Sequence, residues 1–347
     1  MTTAVLICPG RGTYNKAELG TLSRTFPDPG LLAQFDARRA AGGQETLSDL
    51  DGAARFSTAR HTRGDNASPL IYAASLGDRL SIREEIEIVA VTGNSLGWYS
   101  ALACGGAVSA IDGFEIVNTM GALMQAAMIG GQVIYPHVAD DWTPDPARKA
   151  DLLARVAEID ARPGCTLRLS IDLGGMLVFA GDAAGLSAFD AAVPRLDRFP
   201  MRLPNHAAFH TRLMAPISAQ GMARLPARMF AQPDLPLIDG RGAIWWPGAT
   251  DTGALWDYTL GHQVTGTYDF TRAVTVAARE FAPDLFIIAG PGTTLGGAVA
   301  QSLIQAGWRC MGSRADFRSM QSDAPVLCAM GRDDQRGAVV RAGRWGP

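Results

Sequence analysis

The segment whose residue types best fit catalytic chemistry is Gly93–Gly97, which reads GNSLG. It follows an apolar run, Glu87–Thr92, and precedes a helical pattern that starts at Trp98. A Gly-x-Ser-x-Gly segment between a strand and a helix is typical of a nucleophile elbow, where the two glycines permit a sharp turn. Ser95 would then stand at a helix N-terminus, where backbone N–H groups favour developing negative charge. A tight turn with a capping serine is the structural alternative.

A serine nucleophile needs a general base, and histidine is the usual one. The chain has five candidates: His61, His137, His206, His210 and His262. The order serine then histidine matches hydrolase-like folds, although no acidic partner can be chosen from the sequence. The spacing of His206 and His210 would let both hold a metal on one helix face. No acidic residue lies near them and Pro204 marks a loop entry, so we expect no metal site.

A second loop could supply backbone donors to the same site. Pro9–Gly12 follows the apolar run Ala4–Cys8. The segment fails as a dinucleotide fingerprint, because the third glycine of that motif would fall at Asn15. The backbone N–H of Arg11 could instead face the backbone N–H of Leu96, which would make a two-donor oxyanion hole.

The elements that must position these residues alternate between strand-like and helix-like patterns, which predicts an α/β fold. Ala4–Cys8, Glu87–Thr92 and Asp284–Ala289 are expected strands, and each is followed by a glycine-containing turn. In open α/β sheets ligands collect at such strand ends. Ala110–Met128 is the clearest helix, with Ser109 as the expected N-cap.

The middle of the chain has a different pattern, which predicts a small inserted α+β subdomain. It shows a surface helix at Asp151–Ile159, strands at Leu167–Ile171 and Leu177–Ala180, and a second helix at Ala184–Val193. We expect part of the polar tail, which ends in Trp345-Gly346-Pro347, to be loosely held. The expected divisions are a large catalytic subdomain (1–129 and 201–312), a small subdomain (130–200) and a C-terminal extension (313–347).

Composition excludes several classes of protein. Of 347 residues, 47% are hydrophobic and 19% charged, which is typical of a globular chain of one or two domains. A net charge of −3 gives no sign of the basic surface that binds nucleic acid. The sequence also has no uncharged apolar stretch long enough to predict a membrane span. Five dispersed cysteines argue against a disulfide framework or a zinc knuckle. With no secretory signal visible, we expect a bacterial cytoplasmic monomer.

Four segments in collinear order together resemble the malonyl-CoA:acyl carrier protein transacylase family, including the acyltransferase domains of polyketide synthases. Pro9–Thr13 is similar to the family's P-G-Q-G-S loop, and Gly93–Leu102 to G-H-S-L-G-E-Y-A-A-L. Ala208–Met214 is similar to A-F-H-S-x-L-M, and Gly290–Leu295 to G-P-G-x-x-L. The resemblance extends from about residue 4 to residue 312.

The resemblance implies an α/β-hydrolase-like large subdomain with an inserted ferredoxin-like small subdomain. It also implies a two-step acyl transfer. Ser95 attacks the thioester of an acyl-CoA with His210 as general base, while the backbone N–H groups of Arg11 and Leu96 hold the oxyanion. The phosphopantetheine thiol of an acyl carrier protein then takes the acyl group, without a cofactor, in fatty acid or polyketide-type biosynthesis.

The resemblance also implies that backbone carbonyls, rather than an acid, orient His210. Gln263 aligns with a family glutamine and is expected to help position the surroundings of that histidine. The expected substrate pocket residues are Asn94, Met120, Phe209 and Gln263.

Two departures from the family bear on the acyl group. The family's arginine that pairs with the malonyl carboxylate is replaced by Met120, and a charge-assisted hydrogen bond is worth about 1.5–3 kcal/mol. We therefore expect an acyl group without a free carboxylate. The family's first-loop glutamine is replaced by Arg11, whose guanidinium could supply the missing charge from another direction. We expect it instead to point to solvent or to a CoA phosphate.

Three other functions stay open at this stage. A proofreading hydrolase of the same fold would resolve acyl-Ser95 with water, and it would also lack the carboxylate-binding arginine. A malonyl transferase would use Arg11 in place of that arginine. A non-catalytic carrier-binding protein is disfavoured, because Ser95, His210 and both loops are retained.

Overall fold

The computed structural model describes residues 1–340 as two β-sheets with surrounding helices. The strands are β1 (Thr2–Cys8), β2 (Ile86–Gly93), β3 (Gly131–Pro136), β4 (Leu167–Leu173), β5 (Met176–Gly181), β6 (Met201–Arg202), β7 (Leu237–Ile238), β8 (Ile244–Trp245), β9 (Tyr268–Asp269), β10 (Leu285–Ile288) and β11 (Leu327–Ala329). The larger sheet has the order β11-β10-β1-β2-β7-β8, and the smaller one β6-β3-β5-β4-β9.

Three parallel strands at the centre of the larger sheet carry the loops of interest to one edge. β1 pairs in parallel with β2 on one side and with β10 on the other. Ile7 is aligned with Thr92 and with Ile288, so the three strands end at the same level. Ala4–Cys8 is completely buried, as expected of an apolar strand covered on both faces. The three strands expected from the sequence are therefore confirmed, with ends shifted by one or two residues.

The helices cover both sheets. They are α1 (Thr21–Thr25), α2 (Pro29–Ala41), α3 (Leu47–Asp51), α4 (Thr58–His61), α5 (Gly64–Ser81), α6 (Gly97–Cys104), α7 (Ala110–Ala127), α8 (Pro146–Asp160), α9 (Ala183–Ala192), α10 (Ala215–Arg224), α11 (Thr252–Asp257), α12 (Gln263–Thr265), α13 (Phe270–Phe281), α14 (Gly296–Gln305), α15 (Arg314–Asp323) and α16 (Asp333–Arg336). The expected cap of α7 is confirmed, because the Ser109 hydroxyl accepts from the Asp112 N–H at 3.0 Å. Within residues 1–340, no helix is both long and apolar enough to cross a membrane.

The smaller sheet has a hydrophobic core of its own, formed by α8 and α9 against β3, β4 and β5. The helices and strands expected in this region are present. α8 begins earlier than expected, because Asp145 caps it and Pro146 occupies its first turn. The sheet also includes β9, which comes from far along the chain and pairs in parallel with Ile171 and Asp172. The two subdomains are thus joined by a strand as well as by the chain connections.

Residues 313–340, the described part of the tail that was expected to be loosely held in part, pack against the large sheet. β11 adds a parallel edge strand beside β10. The Arg336 guanidinium forms a buried ion pair with Asp78 of α5 at 2.6 Å, and Val340 makes a bridge with Ile82. This part of the tail therefore belongs to the large sheet, and its polar composition concealed a three-residue apolar strand. Residues 341–347, including Trp345, lie outside the described residues.

Candidate active site

Ser95 occupies a strained turn between β2 and α6. Its φ is +55°, a left-handed value that non-glycine residues seldom adopt. A Cβ on Gly93 would lie 2.2 Å from the carbonyl carbon of Gly97, and a Cβ on Gly97 would lie 2.0 Å from the carbonyl oxygen of Cys8. Only glycine fits at both positions, so the turn can close and present the Ser95 side chain. A nucleophile elbow would need this geometry, and that role of the turn stays a prediction.

The structure brings His210 to Ser95 across 115 positions of sequence. His210 Nε2 lies 2.7 Å from Ser95 Oγ. His210 Nδ1 lies 2.6 Å from the carbonyl oxygen of Gln263 and donates its proton there, so Nε2 is free to accept from the serine hydroxyl. Burial lowers the pKa of His210 to about 4, which keeps the imidazole neutral at neutral pH. The pair has the geometry of a nucleophile and its general base.

Gln263 lies at the start of α12 and connects three parts of the site. Its carbonyl oxygen holds His210, while its side-chain Nε2 donates to the carbonyl oxygen of Ser95 at 3.0 Å. Its Oε1 accepts from the hydroxyl of Tyr99 at 3.1 Å. A single π-helical turn, Tyr258–His262, directly precedes it, and such turns are frequent at functional sites. The structure thus places Gln263 beside both Ser95 and His210.

The loop after β1 packs directly against the Ser95 turn. The Asn94 N–H donates to the carbonyl oxygen of Cys8 at 2.9 Å, and a Cβ on Gly10 would lie 2.7 Å from the carbonyl oxygen of Asn94. Within residues 1–340, the backbone N–H groups of Arg11 and Leu96 have no hydrogen-bond partner. Two free donors on touching loops beside Ser95 would suit an oxyanion hole, which stays a prediction.

A pocket opens beside Ser95, with about 420 Å³ of unfilled space that includes its open mouth. Met120, Phe209 and Gln263 line it as expected, but Asn94 does not. Asn94 lies instead on the side of the turn that packs against Gly10. The complete lining is Arg11, Gly64, Ser68, Ser95, Leu96, Tyr99, Met120, Gly121, Met124, Phe209, His210, Gln263 and Val264.

The Arg11 side chain corrects our expectation that it points to solvent or to a CoA phosphate. Its guanidinium lines the pocket and lies 5.5 Å from the centre of the Phe209 ring. Nη2 donates to the carbonyl oxygens of Thr62 and Asn205, both at 2.9 Å. Burial lowers the pKa of Arg11 to about 10, so the group remains charged at neutral pH. A positive charge therefore lies inside the pocket.

Met120 is fully buried and lines the same pocket. Its sulfur packs towards α10, where a Cβ on Gly221 would lie only 2.7 Å from it. Met120 thus contributes apolar surface on one wall, while Arg11 contributes charge from the loop after β1.

Six of the lining residues were not selected from the sequence, and two of them, Ser68 and Tyr99, carry hydroxyl groups. Ser68 lies on α5 and Tyr99 on α6, and both line the pocket. Ser68 carried no signal, because it belongs to no recognisable motif. The proximity of Tyr99 to the Gly-x-Ser-x-Gly segment was the available signal for its role. His206 and His210 have separate partners, since His206 Nδ1 contacts Gln132 Oε1 at 2.7 Å.

The chain is similar in sequence to known malonyl-CoA:acyl carrier protein transacylases. No sequence profile of a known protein family matches the chain. The malonyl-CoA:acyl carrier protein transacylase of Salmonella typhimurium is 26% identical over 308 residues, which cover 86% of this chain and 92% of that protein.

Two solved structures show the same fold. The malonyl-CoA:acyl carrier protein transacylase of Xanthomonas oryzae pv. oryzae superposes with a TM-score of 0.72, at 19% identity over 98% of this chain and 99% of the other. A malonyl-transacylase in complex with its type II polyketide synthase acyl carrier protein superposes with a TM-score of 0.70, at 20% identity over 87% and 93%. The resemblance inferred from the motifs is confirmed, and so is the fold of an α/β-hydrolase-like large subdomain with a ferredoxin-like small one.

Proposed function

We propose that this chain is an acyltransferase that moves an acyl group from coenzyme A to the phosphopantetheine thiol of an acyl carrier protein, through an ester on Ser95. The observation that carries the proposal is the 2.7 Å contact between Ser95 Oγ and His210 Nε2 at the base of the pocket. The named transacylases with similar sequence and fold support the reaction class. The complex of a similar transacylase with its carrier protein supports the acceptor.

In the first half-reaction His210 Nε2 takes the proton of the Ser95 hydroxyl as Oγ attacks the thioester carbonyl carbon. The resulting oxyanion would be held by the N–H groups of Arg11 and Leu96. The carbon–sulfur bond then breaks, and the departing CoA thiolate takes the proton from His210. In the second half-reaction the carrier thiol gives its proton to His210 and attacks the Ser95 ester. Ser95 leaves and recovers the proton.

The pocket favours an acyl group that carries a free carboxylate. The Arg11 guanidinium forms no ion pair within 4 Å in residues 1–340, and its Nη1 makes no hydrogen bond there; Asp65, which is paired with Arg63, acts on it only at longer range. Nη1 lies 3.5 Å from where a Cβ on Gly64 would be, so the absent side chain leaves room beside it. Ser68 lines the same wall, and its hydroxyl has no partner among the described residues. A half-buried cation without a close anion is costly, and a substrate carboxylate would neutralise it.

The proposed acyl group is therefore of the malonyl type, with Arg11 in place of the arginine that Met120 replaces. This reverses the expectation drawn from Met120 alone. That expectation depended on the pocket having no cation, and Arg11 supplies one.

The test is the intact mass of the protein after mixing with malonyl-CoA, acetyl-CoA or butyryl-CoA, with Ser95→Ala as control. The expected result is a malonyl adduct that the variant does not form and that disappears when a carrier protein is added, as malonyl carrier protein accumulates. An adduct from the uncharged donors alone would refute the role of Arg11. Free malonate in place of malonyl carrier protein would indicate a hydrolase. No adduct from any donor would refute the acyltransferase.

A further inference from the structure

Strand β4 contains a one-residue bulge at Ser170, on the side of the small sheet that faces the catalytic histidine. Leu169 pairs with Phe179 and Ile171 pairs with Val178, so Ser170 has no partner residue on β5. Bulges are over-represented next to active sites, where they redirect a side chain. Ser170 is fully buried, and its hydroxyl is accordingly directed into the protein.

The Ser170 hydroxyl forms the end of a buried chain of hydrogen bonds. His206 Nδ1 donates to Gln132 Oε1 at 2.7 Å, and Gln132 Nε2 donates to Ser170 Oγ at 2.7 Å. Ser170 Oγ in turn donates to the carbonyl oxygen of Phe209 at 2.8 Å. Gln132 and Ser170 each accept one of these bonds and donate the next, so the direction of the bond to Phe209 is fixed.

The accepting carbonyl belongs to the peptide bond that joins Phe209 to His210. His210 has a φ of +59°, a left-handed value that must be held by its surroundings. On the large subdomain, the His210 N–H donates to the carbonyl oxygen of Val264 at 3.1 Å and its ring donates to Gln263. On the small subdomain, Ser170 holds the preceding carbonyl. The strained residue is therefore fixed from both sides.

We propose that Ser170 is a positioning residue for the acyl transfer, which holds the Phe209–His210 peptide so that His210 Nε2 stays within reach of Ser95 Oγ. The inference rests on the proposed function, and it assigns the small sheet a part in the chemistry. Loss of the hydroxyl leaves a buried carbonyl unsatisfied and releases one side of the strained peptide. Small displacements of a catalytic group cost large factors in rate.

The test compares Ser170→Ala with Ser302→Ala. Ser302 is equally buried, and its hydroxyl donates to the carbonyl oxygen of Ala298 at 2.8 Å in α14, away from the pocket. Both variants lose a buried hydroxyl, but the Ala298 carbonyl lies within a helix and keeps its main-chain partner, so Ser302→Ala should lower the thermal stability less than Ser170→Ala. For malonyl-CoA we expect Ser170→Ala to lower kcat about 10- to 100-fold with little change in KM. Ser302→Ala should keep kcat within about 2-fold, and Ser170→Thr, which keeps the hydroxyl, should recover most of the rate.

A second readout separates failure of this inference from failure of the proposed function. The imidazole of His210 is titrated by NMR in the wild type and in both variants, which needs no substrate. Release of the peptide in Ser170→Ala should let water reach the ring and raise the pKa of His210 from about 4 towards its ordinary value. An unchanged titration, or equal kcat in the two alanine variants, would overturn the role of Ser170. If the wild type forms no acyl adduct but the His210 titration is shifted in Ser170→Ala, only the proposed acyl transfer is overturned, and the positioning role of Ser170 stands.

Discussion

Replacing Arg11 with glutamine tests directly which side chain recognises the acyl group. The substitution removes the guanidinium and retains the backbone N–H, so the proposed oxyanion donor stays in place. A charge-assisted hydrogen bond contributes about 1.5–3 kcal/mol, which corresponds to about 10- to 150-fold in kcat/KM. We expect the rate of Ser95 loading from malonyl-CoA to fall by that factor. Loading from acetyl-CoA, which has no carboxylate, should change by less than about 3-fold.

The assay is stopped-flow or quenched acylation of Ser95 with each donor, followed by mass. Arg63→Gln is the matched control, because Arg63 precedes α5, pairs with Asp65 and does not line the pocket. It removes one positive charge near the site without removing a donor from the pocket. Thermal denaturation of each variant measures how much stability is lost with the hydrogen bonds from Arg11 to Thr62 and Asn205. An equal fall for malonyl and acetyl donors, or equal effects of the two substitutions, would refute the assignment of Arg11 as the carboxylate anchor.

Four other outcomes follow from the same structure. His210→Ala should slow acylation by about 10²- to 10⁴-fold and His206→Ala by less than about 10-fold, because of these two histidines only His210 contacts Ser95. Equal losses in single-turnover rates would mean that the base is wrongly chosen. Since burial lowers the pKa of His210 to about 4, acylation should persist down to about pH 5 and fall only below it, whereas a midpoint near pH 6.5 would contradict a buried neutral base. Burial also lowers the pKa of His206 to about 3, so below about pH 6.5 the unfolded chain binds a proton at this residue that the native protein does not bind. The free energy of unfolding should therefore fall as the pH drops from about 6.5 to 4. Urea titration at each pH measures this change. Arg336→Met should destabilise the fold by about 3 kcal/mol, because it leaves the buried Asp78 without its cation, and an unchanged melting temperature would show that the tail contributes little.

Local sequence determined the parts of this protein that depend on neighbours in the chain. The Gly-x-Ser-x-Gly segment between strand and helix predicted the turn at Ser95, because only glycine permits the close approaches found there. The apolar runs predicted the three central strands, and Ser109 predicted the start of α7. These features are fixed by steric and hydrogen-bonding preferences that act over a few residues.

Local sequence patterns did not predict which distant segments pair with each other. β9 joins the small sheet from outside the 130–200 range, and β11 extends the large sheet from a polar tail. Both are short strands, whose pairing is decided by the sheet edge available to them rather than by their own composition.

The acyl pocket shows most clearly what only the tertiary structure decided. From the sequence, Met120 indicated the loss of a charge and Arg11 was expected to face solvent. The fold turns the Arg11 side chain inward, over Phe209 and next to Gly64, and so returns a cation to the pocket from a different strand end. A long flexible side chain can point into the protein or out to solvent from the same backbone position. Its direction is set by which carbonyl groups and which empty space the packed chain places around it, and these come from residues more than fifty positions away.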